Sequence, residues 1–170
     1  MSIVTVIGNP RAGSRTAAAA QAVTDALVER LEYTGPRDTV DLSALGPALL
    51  APGAHAALEI ALELVRGAGV IVFASPTYKA TYTGLLKAFV DRLPPNALAG
   101  RTAVPVLVMG DARHALAVEA HFRPLLVELG AHVPTPGLAL LESELAELDV
   151  LDGWARRVAP QIRVAQEVTR

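Results

Sequence analysis

Apolar residues in this chain come in short unbroken runs separated by stretches with helical spacing. Ile3 to Ile7 is the first run, closed by Gly8, and predicts a strand buried on both faces. After a loop from Asn9 to Gly13 the pattern turns helical at Ser14, with Ala20, Val23, Leu27 and Leu31 on one stripe, and Gly35-Pro36 is the expected stop. Thr39 to Leu42 predicts a second strand. Ala56 to Arg66 predicts a helix that turns Leu58, Leu62 and Val65 inward, with Gly67 as its stop. Val70 to Ala74 is the strongest strand and belongs at the centre of a sheet. Thr83 to Leu93 predicts a helix with Leu86, Phe89, Val90 and Leu93 inward, closed by Pro94-Pro95.

Prolines complicate the second half. Thr102 to Val108 predicts a fourth strand, but Pro105 removes a ladder hydrogen bond and calls for edge-like or bulged pairing. His114 to Leu129 has helical spacing, yet Pro124 deprives the Ala120 carbonyl of its usual donor, so distortion is expected between Ala120 and Pro124. A fifth strand is expected between His132 and Leu141, interrupted by Pro134 and Pro136. A last helix is expected from Glu144 to Val168, carrying Trp154 and Ile162. Alternating strands and helices joined by right-handed crossovers make an α/β fold, a parallel sheet with helices on both faces. In a five-stranded order 2-1-3-4-5, ligands bind outside the carboxyl ends of the first and third strands. The loops at that edge are Gly8 to Thr16 and Ser75 to Thr83.

Composition narrows the function. A chain of 170 residues, 52% hydrophobic and 19% charged, fits one domain over residues 1–170 with no linker or repeat. Its formal net charge of −2 is interspersed along the chain, so no nucleic-acid partner is expected. The absence of cysteine excludes disulfides, thiolate catalysis and iron–sulfur ligation. No basic segment precedes the first apolar run and no apolar stretch reaches bilayer length, so a cytoplasmic protein with no membrane partner is expected.

Three loops carry candidate chemistry. In GNPRAGSRT, backbone amides, the Ser14 and Thr16 hydroxyls and Arg15 can surround an anion at a helix amino end, as a phosphate monoester needs. The plainer alternative is that Ser14 only caps the helix and Gly13 only permits a turn. The nucleotide-hydrolase loop fails because Ser14 stands where lysine is required, and the dinucleotide fingerprint fails because Pro10 replaces its middle glycine. In SPTYKATYTG, Pro76 fixes the exit from the strand, Thr77, Tyr78 and Lys79 offer polar groups to a ring's edge, and Tyr78 and Tyr82 offer apolar faces. Two surface tyrosines and a solvated lysine are the alternative. The third loop, Met109 to His114, completes the rim; at the start of a helix His114 is expected to be a neutral hydrogen-bonding group or merely a cap. His114 and His121, about 10 Å apart on one helix face, cannot share a metal ion, and none is expected. No nucleophile elbow or spaced carboxylate pair supports hydrolysis.

With these loops in order, the sequence resembles the NADPH-dependent FMN reductase family, especially reductases that serve two-component sulfonate monooxygenases. The resemblance rests on GNPRAGSRT, SPTYKATYTGLLKAFVDRLPPNALAG and HALAVEAHFRPLLVELGAHV and runs from about Ile3 to Val133. It implies a flavodoxin-like homodimer or homotetramer that reduces FMN with NADPH or NADH, by hydride transfer from nicotinamide C4 to flavin N5, and delivers the product to a monooxygenase. It further implies that Arg11, Ser14, Arg15 and Thr16 hold the FMN phosphate. Asn9 stands where a serine is common. Pro76, Thr77, Tyr78 and Lys79 would line the ring, Lys79 balancing charge on the reduced flavin. Met109, Gly110, Asp111 and His114 would lie at its polar edge. No catalytic side chain is implied, and Arg11 is the candidate for a nicotinamide phosphate.

The chain departs from the family at Val108-Met109-Gly110-Asp111, where Thr-Gly-Gly is frequent, and this puts flavin affinity in question. In related reductases the helix after this loop is sometimes bulged at a subunit interface, which directs attention to Ala120 and His121. The competing readings are an FMN-containing quinone, azo or nitro reductase, a flavodoxin-type electron carrier, and a flavin-free interaction protein.

Overall fold

The structure is a computed structural model that describes residues 2–146 and 148–168. Five strands, β1 (Ile3–Ile7), β2 (Arg37–Asp41), β3 (Val70–Pro76), β4 (Thr102–Met109) and β5 (Leu138–Leu141), form one sheet. All neighbouring pairs are parallel, in the order β2-β1-β3-β4-β5, the flavodoxin-like arrangement expected from the sequence. The helices are α1 (Arg15–Leu31), a short α2 (Gly46–Leu49), α3 (Ala56–Gly67), α4 (Gly84–Val90), α5 (Arg123–Glu128) and α6 (Leu148–Val168).

Every residue of β1, β3 and β4 is buried, because helices cover both faces of the sheet. Val4, Val6, Ile71, Phe73 and Leu107 pack with Leu58, Leu62, Phe89 and Leu126 of α3, α4 and α5. Ile3, Ile7, Val72, Val104 and Val106 pack with Val23 and Leu27 of α1 and Trp154 and Ile162 of α6. Each such large side chain contributes about 1.5–3 kcal/mol through burial. Thr5 is a buried hydroxyl among them. The Thr24 hydroxyl donates to the Ala20 carbonyl at 2.9 Å, which leaves Thr5 as donor to Thr24 at 2.8 Å and ties β1 to α1.

Element ends differ from the sequence expectation where a local hydrogen bond decides them. Helix α1 stops before Gly35-Pro36, because Glu32 takes a left-handed conformation (φ +53°) and the Tyr33 amide donates back to the Val28 carbonyl at 2.9 Å. Strand β2 starts two residues early, at Arg37, and α4 ends at Val90. The final helix starts at Leu148 after a 3-10 turn (Glu142–Ala146); Glu147 lies outside the described residues.

Pro105 is neither at the sheet edge nor in a bulge. Opposite Phe73 it pairs in regular register with β3. The Ala103 amide donates to His132 at 2.8 Å, so the amide positions of alternate β4 residues, including Pro105, face the β5 side. There β4 touches His132 at Thr102 and then pairs with β5 only from Val106 onward. The missing N–H therefore falls in a gap where no partner strand runs. The expected fifth strand shrinks accordingly to Leu138–Leu141, with Pro134 and Pro136 in its lead-in.

The distortion expected near Pro124 is a turn of π-helix, Val118–Phe122, running directly into α5, with the Arg123 amide donating to the Val118 carbonyl. The single long helix is thereby broken. A 3-10 turn, Ala112–His114, precedes it, and His114 ends that turn instead of opening a helix. The π turn is clamped to the lead-in of β5. Arg123 pairs with Glu119 and donates to the carbonyls of Val133 (2.7 Å) and Thr135 (2.6 Å), while Glu119 accepts from the Gly137 amide at 2.5 Å.

Arg123, aided by the Gly137 amide and opposed by partial burial, holds the Glu119 carboxyl below the ordinary glutamate range. A lowered carboxylate pKa stabilises the fold fully above that ordinary range and loses its effect as pH falls through the depressed value. Because the pair is partly exposed, Glu119→Gln is expected to cost about 1 kcal/mol at pH 7, or about 2–4 °C of Tm. Thermal unfolding from pH 7 to pH 2.5 checks this. The gap between wild type and variant should close in acid, and a gap of constant size would refute the ionic clamp.

Candidate functional site

Three loops meet at the carboxyl ends of β1, β3 and β4. The Gly8 amide donates to the Ala74 carbonyl at 2.7 Å, carrying the β1–β3 pairing one step past β1, and the Thr77 amide donates to the Val108 carbonyl at 2.8 Å, binding the second loop to the third. Gly8 has no room for a side chain. A Cβ there would lie 2.9 Å from Leu86 Cβ and 3.2 Å from the Ala74 carbonyl, so glycine lets the first loop rest on α4.

The first loop is braced from beneath. Asn9 is buried; its side-chain Oδ1 accepts from the Arg11 amide at 2.9 Å and its side-chain Nδ2 donates to Thr16 Oγ at 3.0 Å. Ser14 Oγ caps α1 by accepting from the Ala17 amide at 3.2 Å. Both hydroxyls accept in these bonds, so each keeps its hydrogen for another acceptor. Gly13 turns the chain at φ +61°, and the first turn of the 17-residue α1 carries no acidic residue of its own to offset the positive end of its dipole. Arg15 pairs with Glu142 at 2.8 Å, whereas Arg11 is exposed and has no ion-pair partner among the described residues.

In the second loop, Pro76 is buried opposite Val108. Reciprocal bonds between Tyr78 and Thr81 (2.8 and 3.3 Å) close a two-residue turn whose central residues, Lys79 (φ +52°) and Ala80 (φ +67°), are both left-handed. Hairpin turns of this shape ordinarily use glycine or asparagine, and alanine or lysine there costs on the order of 1 kcal/mol each. Strain of that kind is tolerated where the turn is held for a purpose. Tyr78 and Lys79 are exposed on the rim, and the hydroxyls of Thr77 and Thr81 are buried with no hydrogen-bond partner.

The third loop is differently spent. Met109 is buried and Gly110 exposed. The Asp111 carboxylate accepts from the Arg113 amide at 2.9 Å and pairs with the Arg113 guanidinium at 3.0 Å, so its charge is engaged within its own turn. His114 is half-buried at the end of that turn. The expectation of a neutral His114 at the amino end of a long helix lapses, since no such helix begins there. The π turn likewise removes the regular helix face on which His114 and His121 were set. Among the described residues no group of three or more metal-ligating side chains gathers, and no helix is long and apolar enough to cross a membrane.

The thirteen residues that the family resemblance brings to the site fall on these loops or at their roots, whereas Tyr82, expected to offer a face to a ring, packs on the core against Phe122 with ring centroids 5.4 Å apart. Four others belong with them: Ser75, Thr81, Thr83 and Glu142. Thr83 was recognisable as a helix cap, and Ser75 as a hydroxyl closing an apolar strand. Glu142 left no signal, because its partner is at the opposite end of the chain.

Comparison with known proteins gives this edge a family. The model of the NADPH-dependent FMN reductase family matches residues 1–145. The NADH-dependent FMN reductase SfnF of Pseudomonas putida is 34% identical over 139 residues, covering 80% of this chain and 75% of the relative. The FMN reductase (NADPH) of Escherichia coli K12 is 30% identical over 155 residues, covering 86% and 76%. The apo form of an NADH:FMN oxidoreductase, EMOB, superposes with a TM-score of 0.83 at 32% identity, over 98% of this chain and 89% of the other. A family match over residues 1–145, with relatives at 30% identity or more over most of the chain, makes this chain a member of the NADPH-dependent FMN reductase family.

Proposed function

We propose that the chain, acting as one flavodoxin-like domain over residues 1–170, is an NAD(P)H:FMN oxidoreductase whose flavin seats on the three loops. The observation that carries this reading is the pairing, on one edge, of a helix amino end that has free hydroxyl hydrogens and no acid in its first turn with a strained turn beside two orphaned buried hydroxyls. The FMN phosphate fits the first feature, held by the loop amides, Ser14, Thr16 and the exposed guanidinium of Arg11, with Arg15 contributing if it leaves Glu142. The polar atoms of the ring fit the second, where Thr77 and Thr81 lack partners.

Bound FMN supplies a hydride acceptor, and reduced nicotinamide the hydride. The protein's part is to bind, orient and balance charge: Pro76, Thr77 and Tyr78 position the ring and Lys79 offers a cation to it. Asn9 braces the phosphate loop from below. Gly110 leaves the ring edge open, Met109 packs beneath it, and Asp111 is kept from opposing an anionic ring by Arg113. His114 is a hydrogen-bonding group at the same edge. No side chain is assigned as a catalytic acid or base.

Reduced FMN passes in this reading to a flavin-dependent monooxygenase, in the cytoplasm. The protein works as a homodimer or homotetramer, for which exposed Leu116 and Val127 beside the π turn offer apolar surface.

Three outcomes are expected. Anaerobic absorbance at the FMN band should bleach only when protein, FMN and NADPH or NADH are all present, and the faster donor ranks the nicotinamides. No bleaching, with no FMN retained on gel filtration, would leave the flavin-free interaction protein as the reading. Ser14→Ala should weaken FMN binding about tenfold and leave riboflavin binding within about twofold, since riboflavin lacks the phosphate; equal weakening in a fluorescence titration would remove Ser14 from the phosphate site. Arg11→Ala should lower kcat/KM for NADPH more than for NADH, and an unchanged ratio of the two would refute a nicotinamide-phosphate contact.

A further inference from the structure

Beneath the rim lies a buried hydroxyl pair that touches both principal loops. Thr83 Oγ donates to the Gly8 carbonyl at 2.6 Å and accepts from the Leu86 amide at 3.1 Å. The Thr83 amide in turn donates to Ser75 Oγ at 3.0 Å, and Ser75 Oγ donates to the Pro76 carbonyl at 2.9 Å. Thr83 is 2% exposed and Ser75 fully buried. The one hydrogen of each hydroxyl is spent within the protein, so neither side chain has a donor to offer a ligand.

Their partners are informative. Gly8 is the root of the phosphate loop, Pro76 the root of the ring loop, and Thr83 the last residue before α4. One threonine side chain therefore fixes the height of the first loop against the end of the second, through a carbonyl that the sheet itself does not engage. A second tie at this point is the bond from the Gly8 amide to the carbonyl of Ala74 in β3. Together the two bonds grip the peptide groups on either side of Gly8.

We infer that Thr83, seated on Ser75, is a positioning residue that locks the phosphate loop and the ring loop into one register, so that a ligand spanning both is bound as a chelate. The inference rests on the flavin reading above. FMN touches both loops and gains from their fixed spacing. Riboflavin, lacking the phosphate, touches chiefly the second. Loosening the lock lowers the effective concentration of one loop for a ligand already held by the other, and leaves single-loop binding intact.

The test compares dissociation constants for FMN and riboflavin, by flavin fluorescence quenching, in wild type, Thr83→Val and Thr83→Ser. Valine keeps the shape and removes the two bonds of the hydroxyl, to the Gly8 carbonyl and from the Leu86 amide; serine keeps the hydroxyl. In Thr83→Val the preference for FMN over riboflavin should fall about tenfold, with riboflavin binding within about threefold of wild type, and Thr83→Ser should restore the preference. Should Thr83→Val fail to fold, Ser75→Ala, which removes both the acceptor of the Thr83 amide and the donor to the Pro76 carbonyl, must show the same fall. FMN and riboflavin weakened by one common factor, or a preference left unchanged in the variant that folds, would overturn the lock alone. Wild-type protein that binds neither flavin would overturn the flavin reading on which it rests.

Discussion

Where β1 lies against β3, two strands distant in sequence are neighbours and the connections that follow them leave for opposite faces of the sheet. Helix α1 turns toward the face shared with α6, and α4 toward the face shared with α3. A parallel strand cannot reverse in a tight turn, so each must hand its chain to a crossover, and the divergence of two crossovers opens a crevice that no side chain has to create. The β1–β3 register, Ile7 beside Ala74, then decides which loop residues face each other across that crevice. Everything assigned to the site inherits its place from this pairing.

The fold was readable where burial leaves little choice. Unbroken β-branched runs such as Val70 to Ala74 have few alternatives in a chain this size, and the alternation of elements points to a parallel sheet with helices on both faces, of which the order 2-1-3-4-5 is one arrangement. Prolines were readable as problems and unreadable as solutions. Pro105 announced a missing donor, but its harmless placement depends on where β5 begins, which is set by Pro134, Pro136 and the Glu119–Arg123 clamp. Pro124 announced a distortion, and the form it takes, a π turn, depends on packing of Val118 and Phe122 that no local rule contains.

The site divides in the same way. Loops at strand ends, with glycine, serine and threonine at a helix start, are local patterns and were legible as such. The pairing of Arg15 with Glu142 and of Asp111 with Arg113 was not, since a charged side chain on a rim has several partners within reach and sequence does not choose among them. Buried hydroxyls are the hardest to foresee. Thr16 reads in the sequence as a loop hydroxyl and Thr83 as a cap, and Thr5 and Ser75 as small residues in apolar strands; only the geometry shows the bond that each carries to a distant part of the chain.

The two edges of the sheet are guarded by different means. At one, β2 exposes Arg37, Asp38 and Thr39 along its first three positions. At the other, β5 is four residues long and is preceded by two prolines that have no amide hydrogen to offer. Charge at one border and brevity with proline at the other are the devices by which natural sheets discourage a foreign strand from adding itself to the ladder. An open five-stranded sheet is thereby kept finite, and recruitment of further copies through amyloid-like strand addition is disfavoured. The sheet's backbone is thus closed to association, and what the molecule offers a neighbour is helix surface, where side chains and not backbone make the selection.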